Sequence, residues 1–551
     1  MEMIRDRSYV SILQTYKNLE TKTEESAIFA AIMGNPLKQL AGETAIYGLS
    51  TILARIINFL FVPVYTRMLT TESYGVVTEF MAYIAVLQVV LVLGLETGCF
   101  RFANRQGVSP KAVYSDALAI VFGVSAAFLA VMLVFDRPIA SALGYVGYEN
   151  CIRYIGGILA LDSITAILFA KLRQEHKAFR FAIFKTVKII TETAVNILLF
   201  FPFAGYCAAK ASSLGIVPSE LTSSDVWFLH FVSPVPDFSY VIFAIFASCV
   251  VCALLFVPTL LKFSFEFEGK LMKEMLVYSI PLMVASLPGV INDFLDRILF
   301  RFFDTGAEAW RSSLGIYQAA VKLSVIMSLF IQMFRFAAEP FFFQRAADKD
   351  SKALYAKVME YFTAFCGLAF LGVMLYIDVI SLILGRDFRE GVGIVPIMLI
   401  SYMLLGMLFN VSMWYKLSGK TSMAIYITLS GLIVTVVVNV VFMPAFSYWA
   451  SAFAHLSSYA VMFTVSAVLG QKYYPIPYRW GRLAMVFVSM LAVYGVSLGI
   501  DRLFFSNVEI YASSVWQVAG KLGVHTLLIA VYLLLMWLLL VRRPVKGISR
   551  R

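Results

Sequence analysis

About fourteen runs of roughly twenty apolar residues divide this chain, and they decide its solvent before anything else is decided. They lie at 45–65, 77–98, 115–135, 152–171, 181–202, 238–261, 275–300, 314–336, 358–384, 393–415, 423–443, 447–470, 483–501 and 522–541. A helix needs about 20 mostly apolar residues to cross a bilayer. Backbone polar groups in lipid must be satisfied within their own segment, so runs this long predict helices. Composition agrees: 60% of the 551 residues are hydrophobic and 14% are charged, whereas a soluble domain carries about 25% charged residues. The expected fold class is an all-α integral membrane protein.

The net charge of +11 could suggest a nucleic-acid partner. The positions of the basic residues exclude it, because they fall between the apolar runs. Lys and Arg in alternate connections, counted from the N-terminus, sum to about 30, against fewer than about 10 in the intervening ones. The positive-inside rule then predicts both termini in the cytoplasm. Residues 1–40 are polar and lack the layout of a signal peptide, so they are expected to be a cytosolic leader. "MGNPLKQLAGETAIYG", from Met33, reads as a second candidate start. The longest outer connection, 203–237, carries "SSDVWFLHF", whose Trp227 and Phe228 suit the membrane interface.

Six Cys and four His are scattered without metal-ligand spacing, so neither a metal nor a cofactor is expected. Cys151 and Cys207 fall near the predicted outer face, where a disulfide is one option. "SGKTS" at 418–422 resembles the end of a phosphate-binding loop, but Trp414 stands where the loop's first Gly would have to be. Nucleotide binding is excluded there.

The chain contains a weak internal repeat. Span 1 to span 2 runs "ARIINFLFVPVYTRMLTTESYGVVTEF…LETGCFRFA". Span 7 to span 8 runs "GVINDFLDRILFRFFDTGAEAWRSSLGIYQAA…FIQMFRFA". Each begins with a helix bearing an arginine, Arg55 or Arg297. Each passes an aromatic-glycine entry, at Gly75 or Gly315, and ends on Phe-Arg-Phe-Ala around Arg101 or Arg335. Six intervening spans keep the copies in one orientation, as expected of parallel repeats about an axis along the membrane normal. The alternative is that Phe-Arg-Phe is an interface anchor with a snorkelling arginine. The expected domains are the leader 1–40, an N-lobe 41–262 with helices 1–6, a C-lobe 263–472 with helices 7–12, and 473–551 with helices 13–14 and a basic tail.

"NPLKQLAGETAIYGLSTILARIINFLFVPVYTRMLTTESYGVVTEF" resembles the start of bacterial oligosaccharide flippases of the polysaccharide transporter family. These belong to the multidrug/oligosaccharidyl-lipid/polysaccharide exporter superfamily. "SIPLMVASLPGVINDFLDRILF" and "WYKLSGKTSMAIYITLSGLIVTVVVNVVFMP" are similar to that family's helix 7 and helix 10–11 hairpin. The resemblance covers residues ~35–475. It implies two six-helix lobes around a central cavity in the bacterial inner membrane. It also implies translocation, by alternating access, of undecaprenyl-diphosphate-linked oligosaccharide toward O-antigen, capsule or exopolysaccharide synthesis. The partners it implies are the lipid-linked sugar, the bilayer and polysaccharide polymerase machinery, with the chain acting as a monomer.

A charge at the bilayer centre costs about 2.5–3.5 kcal/mol even on lenient scales, so intramembrane charges are functional candidates. Arg55, Arg297, Lys322 and Lys188 could offer positive charge to a diphosphate, or could lock helices as internal ion pairs. Lys188 and Glu192 are spaced i,i+4 and can pair. Asp162, Glu192, Asp293 and Asp296 could carry a coupling ion. Pro281, Pro288 and Gly289 fall within helix 7 and suit either a hinge or a static kink. Competing functions are a lipid II-type flippase, a cation-coupled multidrug exporter, or a membrane glycan polymerase or ligase. No acid/base pair or nucleophile constellation marks the last, so a transporter rather than an enzyme is expected.

Overall fold

The structure, a computed structural model, describes residues 48 and 52–541 except 264, 305–309, 346, 347, 349, 507 and 509–512. The leader, Met33 and the basic tail beyond 541 lie outside the described residues. The described elements are all helices. Twelve are long and apolar enough to span a membrane, and a bent pair adds one more. Among the described residues this is roughly consistent with the expected count of about fourteen spans, the first of which lies partly outside them.

We number them in chain order. Helix α1 covers 52–60 and continues as Val62–Met68 after a turn at Phe61. Then follow α2 (Thr71–Ala103), α3 (Pro110–Val134), α4 (Glu149–Gln174), α5 (Ala178–Leu214) and α6 (Phe238–Leu261). The second half holds α7 (Gly269–Phe303), α8 (Trp310–Leu323 with Val325–Gln344), α9 (Ser351–Met374), α10 (Arg386–Leu417), α11 (Met423–Phe446) and α12 (Tyr448–Tyr473). α13 (Trp480–Phe504) and α14 (Val515–Leu540) close the chain. The end of the bundle carrying the Lys/Arg-rich connections is called the basic end, and the other the opposite end.

Two expected boundaries move. α5 runs on to Leu214 through a π turn at Leu199–Phe203, which absorbs Pro202, so the long connection begins only at Gly215. α9 stops at Met374, and residues 377–383 form two short turns instead of the end of a span. Cys151 and Cys207 are both buried as free thiols, so the disulfide option fails.

The helices carrying Phe-Arg-Phe-Ala are both broken upstream of it. α2 breaks at Leu93 and Gly94, which have φ of 56° and 69°. Glycine takes that conformation without steric cost, and a Cβ at Gly94 would meet the Ser279 carbonyl of α7 at 2.7 Å. α8 bends by 51° at Ser324.

The halves meet most closely at the opposite end, where α2 crosses α8. A Cβ on Gly75 would fall on the Arg311 carbonyl, and one on Gly315 would fall on the Thr71 carbonyl. Glycine permits backbone contact of this kind where apolar surface gives no driving force between helices in lipid. Thr71 Oγ1 and Ser312 Oγ lie 2.6 Å apart at the same crossing. The Gly75/Gly315 correspondence of the sequence is thus a reciprocal contact across the interface of the halves.

Candidate functional site

Below that crossing lies a cavity of about 880 Å³. It reaches from Tyr65 and Tyr74, near the α2–α8 crossing, to Lys416 and Ala424 near the basic end. Three of the four expected phosphate-binding residues line it: Arg55 from α1, Arg297 from α7 and Lys322 from α8. Glu192, Asp293 and Gly289 line it as well.

Arg297 is the best fixed of the cations. Its Nη1 donates to the Asp293 carbonyl at 2.7 Å and its Nε to Gln318 Oε1 at 3.2 Å. It makes no ion pair with its sequence neighbour Asp296. That carboxylate turns into the second half, where it accepts from the Tyr317 hydroxyl at 2.7 Å and lies 3.1 Å from His455 Nε2. Asp296 Oδ1 and His455 Nδ1 are buried without a hydrogen-bond partner. One turn earlier, Asp293 accepts from the Tyr459 hydroxyl at 3.0 Å. Asn292 accepts from Thr435 Oγ1 at 2.6 Å and from Ser458 Oγ at 3.0 Å. These bonds tie the outer part of α7 to α11 and α12.

Lys188 stands apart. The i,i+4 spacing predicts a pair with Glu192, but Lys188 Nζ sits 2.5 Å from Asp162 Oδ1 on α4. Glu192 is left facing the central cavity. Helical spacing sets which residues can meet along one helix, and a carboxylate on a packed neighbour wins when its geometry is better.

Sequence reasoning missed several lining residues: Asn58, Gln318, Gln332, Arg335, Tyr402 and Lys416. Arg335 belongs to the second Phe-Arg-Phe-Ala and had looked like an interface anchor. Its guanidinium lies 4.9 Å from the Phe409 ring of α10, at the wall of the cavity. Arg101, its counterpart, lies 4.1 Å from the Tyr278 ring of α7 and does not line the cavity. Both copies thus stack their arginine on an aromatic ring, and only the second lines the cavity. Lys416 pairs with Glu339 at 2.5 Å.

Charge decides what such a cavity can hold. The lining has five cations (Arg55, Arg297, Lys322, Arg335, Lys416) against two carboxylates (Glu192, Asp293). Among the described residues, Arg55, Arg297, Lys322 and Arg335 have no carboxylate within ion-pair distance. Arg55 and Arg335 are exposed and Arg297 and Lys322 half-buried, so their donors are open to an anion with several oxygens. The tyrosines, Asn58, Gln318 and Gln332 add hydrogen-bonding groups suited to sugar hydroxyls.

The expected hinge residues occupy a transition along α7. Before Pro281, α7 and the segment leading into it are tied to α3 and to the connection between α2 and α3. Glu274 pairs with Arg105 at 2.7 Å, and the Glu268 N–H donates to Asp116 at 3.1 Å. From Asn292 to Asp296, α7 bonds to α11 and α12 as described, and at Arg301 it returns to the first half, pairing with Glu79 of α2. Pro281 and Pro288 lie between the first two sets of bonds, inside a helix that stays continuous.

The comparisons with known proteins agree with this architecture. Two family models match, each described as polysaccharide biosynthesis protein, one over residues 64–239 and one over 226–346. No curated protein matches the sequence. Among solved structures, an inward-facing multidrug resistance transporter of the MATE family and MOP superfamily aligns over 80% of this chain and 95% of its own. The identity is 14% and the TM-score 0.55. The MATE multidrug transporter DinF-BH aligns over 80% of this chain and 96% of its own, at 16% identity and a TM-score of 0.46. At 14% identity the first of these likenesses is one of fold. The two family matches overlap at 226–239 and together run from α1 to the end of α8, each over less than half of the chain, and they agree with the resemblance read from the sequence.

Proposed function

We propose that this protein is a flippase for undecaprenyl-diphosphate-linked oligosaccharide, moving the headgroup from the cytoplasmic to the periplasmic leaflet of the bacterial inner membrane. The observation that carries the reading is the set of four cations without carboxylate partners around one large cavity. A diphosphate cannot cross hydrocarbon bare, since an unpaired buried anion costs tens of kcal/mol in the Born limit. Arg55, Arg297 and Lys322 supply compensating charge at mid-depth, and Arg335 does so toward the basic end, beside the Lys416–Glu339 pair. With the basic end at the cytoplasm, the part of the cavity lined by Arg335 and Lys416 lies toward the side where the substrate is made. The polyprenyl tail stays in lipid while the headgroup moves.

Alternating access requires the opposite-end contacts to part and the basic end to close. α7 is placed to transmit that motion, because it is bonded to the first half before Pro281 and again at Arg301, and to α11 and α12 between them. Asp293 and Asp296 are the candidates for a coupling ion, with Asp296 Oδ1 buried and unpaired. A multidrug exporter of cations would need the opposite charge balance in its cavity.

The test is transport by an Arg55→Ala variant present in the membrane at normal amount. Flipping is expected to be abolished. Full activity removes Arg55 from the site and weakens the diphosphate reading with it.

A further inference from the structure

A second cavity of about 360 Å³ lies in the first half, outside the one described above. It is walled by α2, α4 and α5, and its polar lining is Gln88, Glu96, Asp162, Arg173, Lys185 and Lys188, with Thr165 beside them. Three cations face two carboxylates. Each carboxylate is already held: Glu96 by Arg173 Nη2 at 2.9 Å and Asp162 by Lys188 Nζ at 2.5 Å.

What remains open is cationic. Among the described residues, Lys185 has no carboxylate within ion-pair distance, and its ammonium lies 4.2 Å from the centre of the Phe169 ring. A single cation–π contact is worth only about 0.5–2 kcal/mol, less than the several kcal/mol that an ion's desolvation costs. The Nε of Arg173 is buried with no hydrogen-bond partner, and so is the side-chain oxygen of Gln88. The oxygen and nitrogen of a glutamine amide are interchangeable in placement, so Gln88 can present N–H donors to the same space. Lys185, Arg173 and Gln88 thus line one cavity far larger than the roughly 30 Å³ of a water, and two of them carry a buried polar atom without a partner.

We infer that Arg173, Lys185, Lys188 and Gln88 form a second oxyanion site that takes a phosphate group. The site adjoins the central cavity along α5, since Lys188 lines this pocket and Glu192, one turn on, lines the other. Lys185, Lys188 and Glu192 thus lie along one side of that helix. Two sources share the chemistry: the diphosphate of the lipid-linked sugar, held beside its central position, or the phosphate of an anionic bilayer lipid. The first source rests on the function proposed above; the site itself does not.

The test is equilibrium binding of radiolabelled inorganic pyrophosphate to the full-length protein in zwitterionic detergent. Two binding events are expected in the unaltered protein. Lys185→Gln should weaken one of them by about ten- to a hundredfold, as for loss of a charged hydrogen-bond donor, and Lys185→Arg should retain it. Gln88→Leu reads the same site from α2 and should weaken the same event, which covers the case in which Lys185→Gln does not stay monodisperse. Arg55→Gln should affect only the other event. Short-chain phosphatidylglycerol and farnesyl diphosphate, added as competitors, identify the source by which one displaces the Lys185-dependent event. A single event lost in Arg55→Gln and unchanged in both Lys185→Gln and Gln88→Leu overturns this site and leaves the proposed function standing. A Lys185-dependent event with none sensitive to Arg55→Gln does the reverse. No saturable binding overturns both.

Discussion

The two halves of the protein repeat each other where they touch and differ where they face the cavity. At the opposite end, Arg67 of α1 donates to the carbonyls of Leu382 and Ile383, in the segment after α9, at 2.7 and 3.1 Å. Arg301 of α7 donates to the carbonyl of Leu143, in the segment after α3, at 2.8 Å. Each half therefore sends an arginine from its first helix to the connection after the other half's third helix. The glycine pair at the α2–α8 crossing is reciprocal in the same way. In the cavity the match ends. The second half contributes Asp293, Arg297, Gln318, Lys322, Gln332, Arg335, Tyr402 and Lys416, and the first half contributes few polar residues beyond Arg55, Asn58 and Glu192. Closure is a property of the repeat, whereas the chemistry belongs mainly to one copy.

The largest expected effect tests the chemical half of that comparison. Arg55→Ala combined with Arg297→Ala removes a cation from each half and should lower flipping by two or more orders of magnitude, at about 1.5–3 kcal/mol for each charged contact. The readout is restoration of surface polysaccharide in cells lacking the native protein, with membrane abundance measured alongside.

Next come the two latches, which are alike in plan and unlike in burial. Arg301 also pairs with Glu79 at 2.7 Å, and Glu79 is wholly buried and bonded to Tyr83 and Tyr145. Glu79→Ala leaves the guanidinium uncompensated, a loss of about 3–5 kcal/mol. It should shift the protein toward a state open at the opposite end, read as a longer spin-label distance across the α2–α8 crossing. Arg67→Ala loses exposed bonds to neutral carbonyls, worth about 1 kcal/mol, and should shift that distance far less. Equal effects would mean that the latches do not differ as their burial says.

Gly315→Ala places a methyl on the Thr71 backbone, which cannot move aside as a side chain can. It should hold the crossing apart, with Gly75→Ala giving the same result from the other side. A change in only one of the two would break the reciprocity. The smallest effect is expected from Pro288→Ala. It restores a helix donor between the parts of α7 and should slow transport severalfold with little loss of stability.

Much of this was legible in the sequence. The spans and their alternation were, because the bilayer demands long apolar helices and the basic loops mark one side. Arg55, Arg297 and Lys322 were legible as cavity residues, because a charge in mid-span has few other places to go. Lys188's partner was not: the rule for one helix pointed to Glu192, and the carboxylate that reached it came from α4. Arg335 was not, because the 51° bend of α8 carries it to the cavity wall while the same tetrapeptide on α2 stays outside. The Arg301–Glu79 latch joins residues 222 positions apart and has no local signature.

The most direct measurement is the leaflet distribution of lipid-linked oligosaccharide in cells depleted of this protein. The account predicts a complete diphosphate-linked repeat accumulating on the cytoplasmic face, its sugars identified by mass. Unchanged lipid-linked sugars, or a repeat that reaches the outer leaflet without the protein, would contradict it.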